Sequence, residues 1–135
     1  MKIPIATEFL DTIIPQYIDD LISWGCIGAR TVESQLHRQL ASGLSMPIGF
    51  KNGTSGDTKV AIDAIVSAKA NHTFPGITKD GKAAIVTTKG NDMCHIILRG
   101  GKTGPNLSLQ CIQDTVNALT QRTIIPNVIV DVSHD

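Results

Sequence analysis

The sequence has few aromatic residues and no excess of charge of either sign. Aromatic residues make up 4% of the 135 residues, and twelve Lys and Arg balance twelve Asp and Glu. A nucleic acid or an anionic membrane surface attracts chains with a basic excess, which is absent here. No apolar run approaches the roughly 20 residues that a membrane-spanning helix needs. We therefore expect neither nucleic acid nor membrane among the partners.

Cysteine is also scarce, and its spacing carries no metal or redox motif. Cys26, Cys94 and Cys111 form no Cys-x-x-Cys pair. The first residues reach Glu8 and Asp11 before any apolar stretch that a secretion signal would need. An odd number of cysteines without a secretion signal favours reduced thiols. The sequence therefore predicts a cytoplasmic protein.

Hydrophobic residues make up 41% of the chain and occur in segments that alternate between strand and helix patterns. In one helical segment, Val32, Leu36, Leu40 and Leu44 recur every four residues. The predicted strands cover residues 3–9, 26–29, 47–50, 94–98 and 127–132, and the predicted helices cover residues 15–24, 31–42, 57–69 and 108–121. Segments 72–78 and 83–88, joined by a turn that contains Gly81, predict an antiparallel hairpin instead.

Alternation of strands and helices indicates an α/β fold with a parallel sheet. A (β/α)₈ barrel (TIM barrel) of ordinary size needs about 250 residues. The 135 residues therefore suit part of such a barrel, with about five parallel strands and one inserted β-hairpin. We expect residues 1–135 to form a single, incomplete barrel domain, whose last strand has no helix after it.

Each predicted parallel strand has a titratable residue at or just after its carboxyl end. These residues are Glu8, Arg30, Lys51, Arg99 and His134. Active sites of parallel α/β barrels lie at the carboxyl ends of the strands, so the three cations should converge there. Two arginines and a lysine beside glycines suit a compact anion that carries a phosphate and a carboxylate. Cations that are simply solvated loop residues remain the alternative, and from the pattern alone the two readings are equally open.

Three other patterns do not support a site. A phosphate-binding loop ending in Lys102 would need glycine at the position of Ile96. Cys94 and His95 are adjacent on a strand and so point to opposite faces, which predicts that Cys94 belongs to the core. His37 is predicted to lie on a solvated helix face.

At these residues the sequence resembles a known family. The stretch IGARTVESQLHRQLASGLSMPIGFKNGT (residues 27–54) closely resembles a signature of the type I, microbial class of 3-deoxy-7-phosphoheptulonate synthases, or DAHP synthases. Three further stretches resemble the family in the right order, namely ATEFLDTIIPQYIDDLISWG (6–25), CHIILRGGK (94–102) and VDVSH (130–134). The resemblance covers essentially the whole chain and corresponds to a central fragment of the synthase.

The resemblance implies a (β/α)₈ enzyme that condenses phosphoenolpyruvate with erythrose 4-phosphate at the entry to the shikimate pathway. By this likeness, Arg30, Lys51, Arg99 and the backbone of Ala29 would hold phosphoenolpyruvate. Catalytic roles are implied for Lys51, for His134 and for a carboxylate near the substrate, Glu8. His134 would also be one ligand of a divalent metal of the Mn, Fe or Co type, although Asp135 adds a negative charge beside it.

The family's other metal ligands, and a Lys-Pro-Arg-Thr loop that serves both substrates, have no counterpart in this sequence. The isolated chain is therefore expected to lack synthase activity and to hold the metal weakly. The alternative is a non-catalytic module that binds a phosphorylated ligand or associates with a second copy or with a full-length synthase. An eight-carbon sugar acid synthase is a third reading, which the match over residues 27–54 disfavours.

Overall fold

The computed structural model describes residues 3–134, so Asp135 lies outside the described part. These residues form seven strands: β1 (Ala6–Glu8), β2 (Trp24–Ile27), β3 (Ile48–Lys51), β4 (Thr73–Ile77), β5 (Ala83–Thr87), β6 (His95–Leu98) and β7 (Val128–Val130). The α-helices are α1 (Pro15–Ile18), α2 (Gln35–Gly43), α3 (Lys59–Lys69) and α4 (Leu109–Gln121), and a 3₁₀ turn covers Asp19–Leu21.

Five of these strands form one parallel sheet in the order β1-β2-β3-β6-β7. Gly25 of β2 lies opposite Ile48 of β3, and Lys51 of β3 lies opposite Ile97 of β6. Strands β4 and β5 pair with each other in antiparallel fashion and form a separate hairpin. The prediction of five parallel strands with an inserted hairpin is therefore confirmed.

The core lies between the sheet and the helices α2, α3 and α4. Ile27, Phe50 and Ile96 of the central strands are fully buried. Three alanines on α3 are also fully buried, which lets that helix approach the sheet closely: Ala61, Ala64 and Ala68. β6 is buried at all four positions, as expected for a parallel strand covered on both faces. Burial of this kind holds the strand ends in fixed relative positions.

The prediction of a helix over residues 15–24 is wrong beyond its first turns. The chain becomes extended at Ile22, and Trp24 begins β2 opposite Ala6. Pro15 is buried, but Tyr17 and Leu21 are about half exposed or more, so this segment buries little apolar surface. A short helix with so little buried apolar surface has little stability of its own. Pairing with β1 therefore determines the structure from Ile22 onward.

Serine and threonine residues lie at the predicted starts of two helices, where such residues often cap the first turn. Ser108 caps α4, because its hydroxyl accepts a hydrogen bond from the backbone N–H of Cys111 at 3.2 Å. Thr31 does not cap α2, which begins four residues later at Gln35. The Thr31 hydroxyl instead donates to the carbonyl of Gly28 at 3.2 Å. This bond tightens the turn that carries Ala29 and Arg30.

Within residues 3–134, no helix has both the length and the apolar character needed to cross a membrane. The 13-residue α4 is the longest described helix, and its exposed face carries polar side chains such as Gln113 and Asp114.

A hydrogen bond between the half-buried Trp24 and the buried His95 links two strands of the sheet at their amino-terminal ends. The indole Nε1 of Trp24 donates to Nε2 of His95 at 3.0 Å, and Nδ1 of His95 lies 3.1 Å from the carbonyl of Met93. Nε2 must carry a lone pair to accept the indole hydrogen, so Nδ1 carries the proton. Burial lowers the pKa of His95, although the bond to Met93 opposes this shift. The pair therefore requires a neutral imidazole.

This arrangement predicts a loss of stability in acid. The folded-state pKa of His95 lies below its unfolded value of about 6.5, so the folded state resists protonation. Its contribution to the free energy of unfolding should be complete above about pH 7 and should fall as the pH drops through 6.5 and below. Urea unfolding at a series of pH values measures this dependence.

His95→Gln should flatten the acid-dependent part of the curve, whereas the control His72→Gln, at a half-buried site on the hairpin, should retain it. An unchanged pH dependence in His95→Gln would contradict the assignment.

Candidate functional site

The parallel register brings the carboxyl ends of the five strands to one edge of the sheet. Glu8 and Lys51 are the last residues of β1 and β3. Arg99 directly follows β6, and Asp131 directly follows β7. The backbone N–H of Asp131 donates to the carbonyl of Leu98 at 2.7 Å, which extends the β6–β7 ladder to the site. The charged residues at the strand ends therefore all lie at the same edge of the sheet.

Lys51 and Asp131 form an ion pair that spans this edge. Lys51 Nζ lies 3.0 Å from Asp131 Oδ2, and the two side chains are only 13% and 16% exposed. Because β6 lies between β3 and β7 in the sheet, the pair crosses the carboxyl end of β6. The pair is shielded from water more than an ordinary surface salt bridge, which strengthens the attraction.

The Asp131 carboxylate accepts four hydrogen bonds. Oδ1 accepts from the backbone N–H of Ser133 at 3.0 Å and from its hydroxyl at 2.7 Å. Oδ2 accepts from Lys51 and from Nδ1 of His134, the latter at 2.5 Å. Burial works to raise the pKa of Asp131, but the donors from Ser133, Lys51 and His134 outweigh burial and lower the pKa well below its usual value. Asp131 is therefore ionised at neutral pH.

Arg99 contributes a buried donor at the same place. The side-chain Nε of Arg99 is buried and has no hydrogen-bond partner among residues 3–134. A small depression at this point is lined by Arg99, Asn106, Asp131 and His134, among others. Buried polar groups in proteins almost always have a partner. Nε of Arg99 is thus a donor suited to an oxygen of a bound anion.

The buried side chain of Asn52 holds the loops after β3 and β6 together. Its amide group donates to the carbonyls of Gly53 and Gly100 at 2.8 and 2.9 Å. Its oxygen accepts from the backbone N–H of Arg99 at 2.8 Å and from Asn106 at 3.1 Å. All four bonds fix the position of Arg99 relative to Lys51, the residue before Asn52.

Close backbone packing between the same two loops requires glycine. A Cβ on Gly101 would collide with the backbone of Ser55 and Gly56. Gly100 has a φ of +80°, a conformation that other residues adopt only with strain. These glycines let the loop after β6 lie directly against the loop after β3, so the cations cannot move apart independently.

Glu8 joins the other charges around the buried thiol of Cys26. A Cβ on Gly28 would collide with Oε1 of Glu8, so the carboxylate lies over that glycine. Burial raises the pKa of Cys26 to about 11, the charges of Glu8 and Asp131 add to the rise, and the charge of Lys51 opposes it. The thiol is therefore protonated at neutral pH and unsuited to bind a metal.

Arg30 and Ala29 lie in the turn after β2, next to this cluster in the sheet order. Arg30 is exposed and forms no ion pair or side-chain hydrogen bond with another described residue. The structure thus joins Lys51 and His134 through Asp131 and places Arg99 in the same depression as Asp131 and His134. Arg30 lies at the same edge without a side-chain hydrogen bond or ion pair to another described residue.

Two residues set aside in the sequence analysis behave differently from each other. Cys94 is buried in the core, as predicted, and burial raises its pKa to about 12. The prediction that His37 lies on a solvated face is wrong, because the residue is only 8% exposed. Its ring lies 2.9 Å from the hydroxyl of Ser34 and 3.3 Å from the carbonyl of Leu10, which compensates for its burial.

An apolar cavity lies elsewhere in the molecule. Its volume is about 420 Å³, and it lies between α2 and the hairpin, with apolar side chains such as Leu40, Leu44, Phe74 and Val86 in its walls. None of the strand-end cations lines this cavity, and its apolar walls do not suit a phosphate. The candidate anion site is therefore the smaller depression beside Arg99.

Metal ligands are few in this part of the molecule. Across residues 3–134, no group of three or more His, Cys, Asp and Glu side chains comes together in a way that could hold a metal ion. His134 has one nitrogen engaged by Asp131, which leaves Nε2 as a single possible ligand. One ligand is too few for a tight site.

The family of this chain follows from comparison with known proteins. The family model of the DAHP synthetase I family matches residues 1–135. The chain belongs to this family. It is 57% identical over 134 residues to a phospho-2-dehydro-3-deoxyheptonate aldolase of Haemophilus influenzae, covering 99% of this chain and 37% of that protein.

Two further relatives give the same result. The chain is 58% identical to the Phe-sensitive phospho-2-dehydro-3-deoxyheptonate aldolase of Escherichia coli K12, covering 98% of this chain and 37% of that protein. It is 56% identical to the tyrosine-inhibited enzyme of Candida albicans, covering 98% of this chain and 36% of that protein. The chain thus spans little more than a third of the length of these relatives.

A solved structure supports the fold assignment. The phospho-2-dehydro-3-deoxyheptonate aldolase of Francisella tularensis superimposes with a TM-score of 0.95 at 56% identity, covering 98% of this chain and 39% of that chain. The predicted fold class, part of a (β/α)₈ barrel with an inserted hairpin, is confirmed by this likeness together with the observed sheet order.

Two residues of the site were missed by sequence reasoning. Asn52 directly follows Lys51 after one predicted strand, and Asp131 lies near the end of another, three residues before His134. Neither was given a role, because their partners come from other strands. A polar residue next to a strand-end cation is the signal that could have drawn attention to them.

The Asn52 network predicts a large effect from a nearly isosteric change. Asn52→Asp replaces two donors with a carboxylate oxygen that faces the carbonyls of Gly53 and Gly100. We expect the free energy of unfolding to fall by about 2 kcal/mol or more, because a buried charge would face two acceptors. Urea unfolding measures the change.

Asn117→Asp is the matched control, since Asn117 is exposed on α4 and its oxygen only accepts from Gln113. Equal stability of the two variants would show that the Asn52 network does not hold the loops.

Proposed function

We propose that this chain forms the phosphoenolpyruvate-binding part of a DAHP synthase, a transferase that condenses phosphoenolpyruvate with erythrose 4-phosphate at the start of the shikimate pathway. Membership of the DAHP synthetase I family over residues 1–135 supports the reaction class. The observation that carries the proposal for this site is the buried Nε of Arg99, which has no partner in the described chain and lies beside the Lys51–Asp131 pair.

The cations at the strand ends would divide the two anionic groups of phosphoenolpyruvate between them. Arg99 and Lys51 are held by Asn52 and Asp131, so they present a pre-arranged pair of donors. Arg30 is exposed and free to turn toward the ligand from the neighbouring strand end. The backbone N–H of Ala29 would add a donor, as the resemblance implies. A planar guanidinium can hold two oxygens of a phosphate or carboxylate at once.

In the condensation, the main role of this part of the chain would be to hold phosphoenolpyruvate in a fixed position. C3 of phosphoenolpyruvate forms a bond to the aldehyde carbon, water adds at C2, and the C–O bond to phosphate breaks to release inorganic phosphate. Lys51, Arg30 and Arg99 would fix phosphoenolpyruvate and offset charge on its oxygens during these steps. Glu8, close to the same edge, would hold the attacking water or a proton.

His134 would contribute one ligand to a divalent cation of the Mn, Fe or Co type. Such a cation, when bound, polarises the aldehyde carbonyl as a Lewis acid. Asp131 engages Nδ1 of His134 and so leaves Nε2 for this role. The remaining ligands are not found together within residues 3–134, so these residues alone would hold the metal weakly.

A second candidate is a non-catalytic module that binds the phosphorylated ligand, or that pairs with a second copy or a full-length synthase. The shortage of metal ligands within residues 3–134 favours this reading for the chain by itself. So do β1 and β7, which each pair with one neighbour among the described strands. Open strand edges favour association with another sheet. In either case, we propose residues 1–135 as one incomplete barrel unit in the cytoplasm.

If the depression beside Arg99 is the ligand site, the chain should bind phosphoenolpyruvate with a measurable affinity. Calorimetric titration of the pure chain should detect binding, and Arg99→Ala should weaken it at least about tenfold, because charge-assisted hydrogen bonds are lost. Arg122→Ala is the control, since Arg122 is half exposed at the end of α4 and pairs with Asp63.

Binding that Arg99→Ala and Arg122→Ala weaken equally would place the ligand elsewhere. No binding to the wild-type chain at millimolar ligand would refute the proposed site.

The isolated chain should release no inorganic phosphate from phosphoenolpyruvate and erythrose 4-phosphate, because residues 3–134 supply only one candidate metal ligand at this site. A coupled phosphate assay with added Mn²⁺ measures this. Metal-dependent phosphate release by the pure chain would contradict the expectation and would eliminate the non-catalytic candidate. Absence of release with ligand binding intact would support it.

A further inference from the structure

Asp131 touches two of the side chains that the proposed function depends on, although it was not itself predicted as a site residue. Its Oδ2 accepts from Lys51 Nζ at 3.0 Å and from His134 Nδ1 at 2.5 Å. Lys51 comes from β3 and His134 from the segment after β7, so nothing in the local sequence relates them. Among residues 3–134, Asp131 is the side chain that hydrogen-bonds to both of them.

The carboxylate is itself rigidly placed. Its backbone N–H is bound to the carbonyl of Leu98, and Oδ1 is held by both the backbone N–H and the hydroxyl of Ser133. With the backbone and one oxygen fixed, the other oxygen has little freedom. The position of Oδ2 is therefore set before Lys51 and His134 bind to it.

The donor and acceptor pattern fixes the chemical form of His134. An ionised carboxylate has only acceptor positions, so Nδ1 of His134 must carry the hydrogen of their bond. In the neutral ring, Nε2 then carries the lone pair and points away from Asp131. For Lys51, one of the three ammonium hydrogens is used by Asp131 and the others remain for a ligand.

We propose that Asp131 is the positioning residue of this site, and that its Oδ2 holds the Lys51 ammonium and the Nδ1–H form of His134 in the orientations that ligand binding needs. The expected effect on anion binding rests on the proposed function. The orientation of the two side chains, by contrast, can be tested without any ligand.

If Asp131 acted only through its negative charge, its removal would have the opposite effect on the affinity for an anion. A negative charge beside Lys51 repels a phosphate, so its removal should strengthen binding if Asp131 acts only through its charge. If Asp131 acts by orienting Lys51, removal should weaken binding despite the lower repulsion. The sign of the change in affinity therefore separates positioning from a mere neighbouring charge.

The test uses the full chain with Asp131→Asn, which keeps the size of the side chain. Asp114→Asn is the matched control, because it changes the charge by the same amount at an exposed position of α4. There the Asp114 carboxylate accepts a hydrogen bond from Gln110 only. Nitrogen-15 NMR at about pH 8, where a free imidazole is neutral, reports the His134 tautomer and the Lys51 ammonium signal. Titration with phosphoenolpyruvate then gives the affinity.

In the wild type and in Asp114→Asn, we expect the Nδ1–H form of His134 and a Lys51 ammonium signal protected from exchange. In Asp131→Asn, we expect a mixture of tautomers, loss of the Lys51 signal, and phosphoenolpyruvate binding weakened about tenfold, the value of one charge-assisted hydrogen bond. Ser133→Ala, which removes one donor to Oδ1 without changing charge, should shift the tautomer and the affinity in the same direction by a smaller amount.

An unchanged His134 tautomer and Lys51 signal in Asp131→Asn would overturn the inference, and so would tighter binding of phosphoenolpyruvate. If the wild-type chain does not bind phosphoenolpyruvate at all, the proposed function fails, but the tautomer and ammonium signals still decide the role of Asp131. Should Asp131→Asn lose its dispersed amide spectrum, Ser133→Ala decides, and a tautomer identical to the wild type would overturn the inference.

Discussion

The parallel register of the five-stranded sheet is the constraint on which the rest of this structure depends. Residues such as Lys51 and Ile97 lie opposite each other on adjacent strands, so β3 and β6 end at the same edge. Fully buried side chains, among them Phe50 and Ile96, hold that register by packing between sheet and helices. A slip of one residue would turn these side chains away from the core and move Lys51 away from its partner.

Register alone does not place a cation to within hydrogen-bonding distance. Two polar side chains, Asn52 and Asp131, complete the placement by bonding across strands to groups that lie 47 and 80 residues away in the sequence. Asn52 fixes the backbone of the loops after β3 and β6, and Asp131 fixes the side chains of Lys51 and His134. Such networks are costly to bury unless every member is satisfied, and here the unsatisfied atom is the Nε of Arg99. The fold thus leaves a donor where an anion would bind.

Much of the fold was predictable because strand and helix patterns are local. The hairpin, the capping of α4 by Ser108 and the strand ends at Lys51 and Arg99 all follow from residues close in sequence. The helix predicted from Pro15 ends earlier than expected, because the pairing of Trp24 with β1 is a tertiary interaction. The burial of His37 depends on the carbonyl of Leu10, which is distant in sequence.

The candidate site was predictable in its charges but not in its connections. Strand-end position places Arg30, Lys51 and Arg99 on one edge, whereas the partners of Asp131 come from β3 and from the chain after β7. No pattern within one segment reveals such a link. For the same reason, the sequence alone does not distinguish a cation that is bound in the cluster from one, such as Arg30, that remains exposed.

Mapping where phosphoenolpyruvate changes the backbone amide signals of the chain tests the central claim most directly. The account predicts that the largest shifts fall in the turns after β2, β3 and β6, at residues such as Ala29, Asn52 and Gly100. The signals of α2 and the hairpin, around the apolar cavity of about 420 Å³, should stay in place. Shifts concentrated at that cavity, or spread evenly over the surface, would contradict an anion site at the carboxyl edge of the sheet.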